Sequence, residues 1–134
     1  MIIDNILLDR LTTQAKESPR LRMNLDLRNS DADSSQRMLN ALEPGTVIPI
    51  HRHCSTSETV VILRGRAVQW LYDAEGNVTE KVLLEVGGDI PAMNVEKGQW
   101  HRLECLESGT VIVEFKDGAY EPLVAEDILS MKFR

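Results

Sequence analysis

Hydrophobic and polar positions change their period along the chain. Over residues 4–17 the apolar Leu7, Leu8, Leu11 and Ala15 recur at helical spacing, with Asp4 placed to cap the first turn and Ser18-Pro19 placed to stop it, so a short amphipathic helix is predicted there. From Leu21 the period drops to two. Leu21, Met23, Leu25 and Leu27 alternate with Arg22, Asn24, Asp26 and Arg28, the pattern of a strand with one apolar face. The other face, carrying Arg22 and Asn24, either meets solvent or lines a polar cavity inside a barrel. A loop rich in Asp, Ser and Asn follows over Asn29–Ser35.

Short strand-like runs then succeed one another over 36–43, 47–53, 58–63, 67–72, 78–84, 90–95, 100–106 and 110–116, separated by turn signals such as Pro44-Gly45, Arg64-Gly65, Lys97-Gly98 and Ser108-Gly109. Many short strands punctuated by glycine turns predict an all-β antiparallel sandwich or barrel. Residues 124–131 are predicted to form one or two helical turns. The expected organisation is one domain, with residues 1–30 as a helix-and-strand extension, 31–123 as the barrel and 124–134 as a tail, since 134 residues leave no room for a second core.

Composition narrows the partners. Fifteen basic against twenty-one acidic residues give a net charge of −6, and no basic stripe interleaved with aromatics occurs, so nucleic acid is not an expected partner. Asp4 follows Met1-Ile2-Ile3 at once, with no basic leader and no long apolar run; neither a signal peptide nor a membrane span is expected, and the expected compartment is the cytoplasm. Cys54 and Cys105 are too few for a disulfide framework and are expected as reduced thiols. Cys54 is expected to pack on the face opposite His53, and Cys105 to sit inert inside the barrel. Trp70 and Tyr72 share one strand face, as a core stripe or as the wall of a ligand pocket.

Candidate chemistry concentrates in one stretch. His51 and His53 stand two apart in a predicted strand, which sends both imidazoles to one side, and Glu58 follows after a short polar loop. The third histidine of the chain, His101, lies in another strand-like run. Imidazole nitrogens with a carboxylate oxygen suit borderline divalent metals such as Fe, Mn, Co, Ni, Cu or Zn. Arg22, Asn24 and Arg37 are candidate substrate contacts, because polar residues that alternate with an apolar stripe line a barrel interior as readily as its exterior.

Gly45, five residues, His51, one residue, His53, four residues, Glu58, six residues and Gly65 reproduce every defined position of the first cupin motif. The chain therefore resembles a single-domain cupin, a double-stranded β-helix or jelly-roll barrel, with a short N-terminal helix added. The second motif matches in part: Gly98, two residues and His101 are present, while Glu96 stands where proline is usual and Cys105 where asparagine is usual. The resemblance implies a divalent metal on His51, His53, Glu58 and His101. Ser18–Asn24, Gln36–Leu39, Trp100-His101 and Glu114–Tyr120 together resemble the WbuC-like cupin-fold metalloproteins, which are linked with bacterial surface polysaccharide gene clusters. Ala119-Tyr120 replaces a usual Pro-Tyr, and Ser57 an often aromatic residue. Only that resemblance points to Tyr120, at the barrel mouth, as a substrate contact.

The resemblance implies a metal-dependent enzyme acting on a small polar substrate such as a sugar derivative, isomerase- or epimerase-like with Fe, Mn, Ni or Zn as Lewis acid, or dioxygenase-like with Fe. Two alternatives stand beside it: a small-molecule binding or sensing module without turnover, and a metal-free sugar-nucleotide epimerase-like cupin. It also implies a homodimer formed through sheet edges.

Overall fold

The computed structural model describes residues 1–129. Helix α1 (Asn5–Glu17) begins where Asp4 caps it, the Asp4 carboxylate accepting the Leu7 backbone N–H at 3.0 Å, and ends at Ser18. Its apolar face, Leu8, Leu11 and Ala15, packs on Leu39, Ala41, Val111 and Val113 of the sheet beneath. Each large side chain so buried stabilises the fold by about 1.5–3 kcal/mol. Asp4→Ala is expected to cost ~1 kcal/mol by leaving an amide of the first turn unsatisfied, read as a lower Tm; an unchanged Tm would show that packing alone holds α1.

Ten strands follow among the described residues: β1 (Arg22–Asp26), β2 (Gln36–Leu42), β3 (Ile50–His51), β4 (Glu58–Arg64), β5 (Arg66–Tyr72), β6 (Val78–Glu85), β7 (Ala92–Val95), β8 (Trp100–Cys105), β9 (Thr110–Lys116) and β10 (Ile128–Leu129). They form two five-stranded sheets, ordered β1-β2-β9-β4-β7 and β10-β3-β8-β5-β6, with every pair antiparallel. The all-β jelly-roll barrel with an N-terminal helix is the architecture expected from the sequence. β1 is the edge strand of the first sheet, its Met23 and Leu25 packing toward α1 while the strand pairs with β2.

The inward faces of four central strands turn from polar to apolar along their length. β2 runs from Gln36 to Leu42, β4 from Glu58 to Ile62, β8 from His101 to Cys105 and β9 from Lys116 to Ile112. Leu42, Ile62, Leu103, Cys105 and Ile112 accordingly join Leu84 and Val82 in a plug that fills one end of the barrel. The other end keeps the polar side chains.

Two expectations about elements need correction. The strand predicted over 47–53 is regular only at Ile50–His51, since Pro49 has no N–H to donate and Arg52 N–H is taken by the Asp127 carbonyl. The tail predicted as helical turns is a single 3-10 turn, Ala125–Asp127, followed by β10, which pairs with β3; residues 130–134 lie outside the described residues. No helix among the described residues is long and apolar enough to cross a membrane.

Candidate metal centre

The strand pairing assembles the site. His51 on β3 and His101 on β8 are direct cross-strand partners, and their rings stand 4.3 Å apart between centroids. His53 lies two residues past His51, its carbonyl tied to the Gly98 N–H at 2.9 Å, and its ring centroid is 5.0 Å from that of His51 and 5.5 Å from that of His101. One ring nitrogen from each of the three histidines falls within a 4.8 Å cluster. Glu58, opening β4 on the facing sheet, points its Oε2 to within 3.3 Å of His53 Nε2 and 3.6 Å of His101 Nε2.

Hydrogen bonding fixes the chemical form of two imidazoles. His51 Nδ1 lies 2.8 Å from the Pro49 carbonyl and His101 Nδ1 lies 2.8 Å from the Gln99 carbonyl. A carbonyl only accepts, so both Nδ1 atoms carry the proton, and in the neutral ring each Nε2 presents a bare lone pair. This is the arrangement that orients histidine ligands in metal sites. His101 Nε2 is buried with no hydrogen-bond partner among the described residues. A lone pair facing a carboxylate oxygen at 3.6 Å is repulsive unless positive charge stands between them, and a proton or a divalent cation supplies it.

Electrostatics favour the ligating form at His51, whose pKa is pushed down to about 3 by burial and by repulsion from His101. Burial works to raise the pKa of Glu58, but the adjacent His101 and His53 outweigh it and hold the carboxylate ionised, below its ordinary range. Glu114 goes the other way. Burial, reinforced by the charge of Glu58 and opposed by Lys116, pushes it up to about 8.

These groups line one cavity of about 260 Å³. Arg22, Asn24 and Tyr120 line it too, so the polar face of β1 looks into the barrel. Arg37 does not line it. On β2 the side chains alternate, Gln36, Met38 and Asn40 point inward, and Arg37 falls on the outer face, where it donates to the Leu27 carbonyl and to Asp33, both at 3.1 Å. Gln36, Asn40, Gln69, Glu114 and Lys116 were not singled out from the sequence as lining residues, although strand pairing sets Lys116 opposite Glu58, Gln36 opposite Lys116, Asn40 opposite Asn24 and Gln69 opposite Leu103, two residues from His101. Trp70 and Tyr72 pack with Trp100 and Ile50 on the outside of the second sheet rather than against the cavity. Cys105 is in the inner plug as expected, whereas Cys54 is exposed, its thiol donating to Asp127 at 3.3 Å instead of packing.

Two antiparallel sheets closed into a barrel, with three histidines converging inside one end, define a protein of the cupin fold. Within that fold the chain belongs to the family described as Domain of unknown function (DUF6016), whose pattern matches residues 3–84 and so includes His51, His53 and Glu58 but stops short of His101. The fold is similar to that of KdgF from Halomonas sp., at 15% identity over 78% of this chain and 84% of that one, with a TM-score of 0.60. It is similar to TT1209 from Thermus thermophilus, at 19% identity over 90% of this chain and 100% of that one, TM-score 0.63. A capsular polysaccharide assembling protein, CapF from Staphylococcus aureus, is similar at 18% identity over 78% of this chain, TM-score 0.61, but the match spans only 30% of CapF. No curated protein matches the sequence significantly.

Proposed function

We propose that this protein is a metal-dependent cupin enzyme that holds one divalent transition metal on His51, His53, His101 and Glu58 and acts on a small polar substrate by proton transfer, as an isomerase or epimerase does. The observation that carries the reading is the buried, unpartnered Nε2 of His101, aimed at the same point as two further imidazoles and a buried carboxylate. A divalent metal bound there would polarise a substrate carbonyl or hydroxyl oxygen and so acidify the adjacent bond.

The chain's own groups divide the remaining work. The Pro49 and Gln99 carbonyls hold two imidazoles in the ligating tautomer. Glu58 supplies negative charge to the ligand set and is not free to serve as a base. Glu114, in the cavity wall but outside that set, is the carboxyl group placed to move a proton. Val60, Leu103, Ile48 and Leu42 line the cavity beside them and keep bulk water from the reacting end.

The narrower resemblance to WbuC-like cupins, and the fold shared with a capsular polysaccharide assembling protein, support a sugar-derived substrate from surface polysaccharide metabolism. We also propose a homodimer formed through a sheet edge, for which light scattering in solution should return twice the chain mass. Cobalt(II) titration of chelator-stripped protein tests the metal reading. A visible d–d band that saturates at one equivalent supports it, and a flat titration overturns it.

A further inference from the structure

Two side-chain cations line the cavity, Arg22 and Lys116, and they are differently placed. Lys116 has carboxylates for company, since its charge acts on both Glu58 and Glu114. Arg22 forms no ion pair among the described residues. Burial lowers its pKa, and repulsion from the like-charged Arg20 adds to that effect. Its Nη1 donates to the Val47 carbonyl at 2.8 Å, which fixes the guanidinium between β1 and the segment leading to β3. That single bond leaves Nε and Nη2, the forked edge of the group, without a protein partner among the described residues.

A guanidinium held in place with no protein counter-ion is well prepared to receive an anion. The planar fork matches the two oxygens of a carboxylate. Gln36 Oε1 and Gln69 Nε2 have no hydrogen-bond partner among the described residues, although the two residues are only 2% and 1% exposed and line the same cavity. One is an acceptor and the other a donor, and a hydroxyl satisfies either. Lys116 is already set against Glu58 and Glu114, which leaves Arg22 as the cation to be balanced, and one negative charge on the ligand balances it.

We infer that the cavity takes a small hydroxylated monocarboxylate, its carboxylate held by the Nε–Nη2 edge of Arg22 and its hydroxyls by Gln36 and Gln69. This deepens the proposed function by naming a substrate class for the same site, and rests on that reading only for what happens at the histidine end. Arg22 is then the group that selects the ligand's charge.

Isothermal titration of the metal-loaded protein with gluconate, sorbitol and sorbitol 6-phosphate tests the inference, using wild type, Arg22→Met and Arg22→Lys, each checked for fold by its thermal transition and for equal metal content. Gluconate is expected to bind at least tenfold more tightly than sorbitol or its phosphate. Arg22→Met should erase the preference while leaving sorbitol unchanged, and Arg22→Lys should restore part of it. Equal binding of gluconate and sorbitol by wild type, a preference for the phosphate, no binding of gluconate, or a preference that survives Arg22→Met would each overturn it. Chelator-stripped protein run in parallel separates the two claims. The Arg22-dependent preference should survive metal removal, whereas failure of the proposed function shows as absent cobalt binding whatever gluconate does.

Discussion

His101→Ala is expected to lower metal affinity by more than about 100-fold, since loss of a partner that merely orients a ligand already costs 10–100-fold. His101 is the inner corner of the site, 3% exposed, its ring locked by the Gln99 carbonyl and its free nitrogen turned toward Glu58. No other imidazole is available to replace it, because the chain's other two histidines are already in the cluster. A metal that binds only the folded state stabilises it by about 2.7 kcal/mol at a free concentration one hundred times Kd. The Tm of the metal-loaded wild type should therefore fall on adding chelator, while that of His101→Ala should not respond. A variant that keeps one equivalent of metal and still responds to chelator would remove His101 from the ligand set.

Gly65→Ala should be the most damaging single methyl group in the barrel. Gly65 turns the chain from β4 in the first sheet to β5 in the second, with φ at +75°, a conformation that favours glycine. A Cβ there would collide with Thr110 Oγ1 and lie 2.9 Å from Thr110 Cα. Thr110 cannot swing aside cheaply, because it is fully buried and its hydroxyl donates to the Glu107 carbonyl at 2.7 Å. Backbone strain and overpacking together predict a loss of about 2–5 kcal/mol. Gly76 is the control: its φ is +85° but nothing lies within 4 Å of a Cβ built on it, so Gly76→Ala should cost only the strain, about 1 kcal/mol. Denaturant unfolding of the two variants measures the difference, and equal losses would contradict the packing account.

The fold was legible in the sequence because its turns are written in glycine and its strands in alternation. β2 and β4–β9 lie close to the runs that periodicity predicts, and α1 starts at the cap residue expected. The His51, His53 and Glu58 spacing placed three members of the cluster, and cross-strand pairing with β8 brings in the fourth. Less legible was which face of each strand looks inward. The first sheet is buried on both sides, by the plug within and by α1 without, so Val111, Ile112 and Val113 read as one apolar run. Glu114 and Lys116 beyond it were not singled out, although their register carries them into the cavity. Arg37 was a candidate whose face the sequence left open; it stands one residue out of phase with Gln36 and so falls on the outer face of β2. The β10 strand has no periodic signal of its own, being two residues that pair only because the chain returns past β3.

The central claim is that the histidine cluster holds one transition metal, and elemental analysis of protein purified without chelator or an affinity histidine tag tests it most directly. The account predicts close to one equivalent of a divalent transition metal per chain in the wild type and close to none in His51→Ala and His101→Ala. Wild-type protein that carries no transition metal, even after reconstitution with Fe, Mn, Ni and Zn in turn, would contradict it.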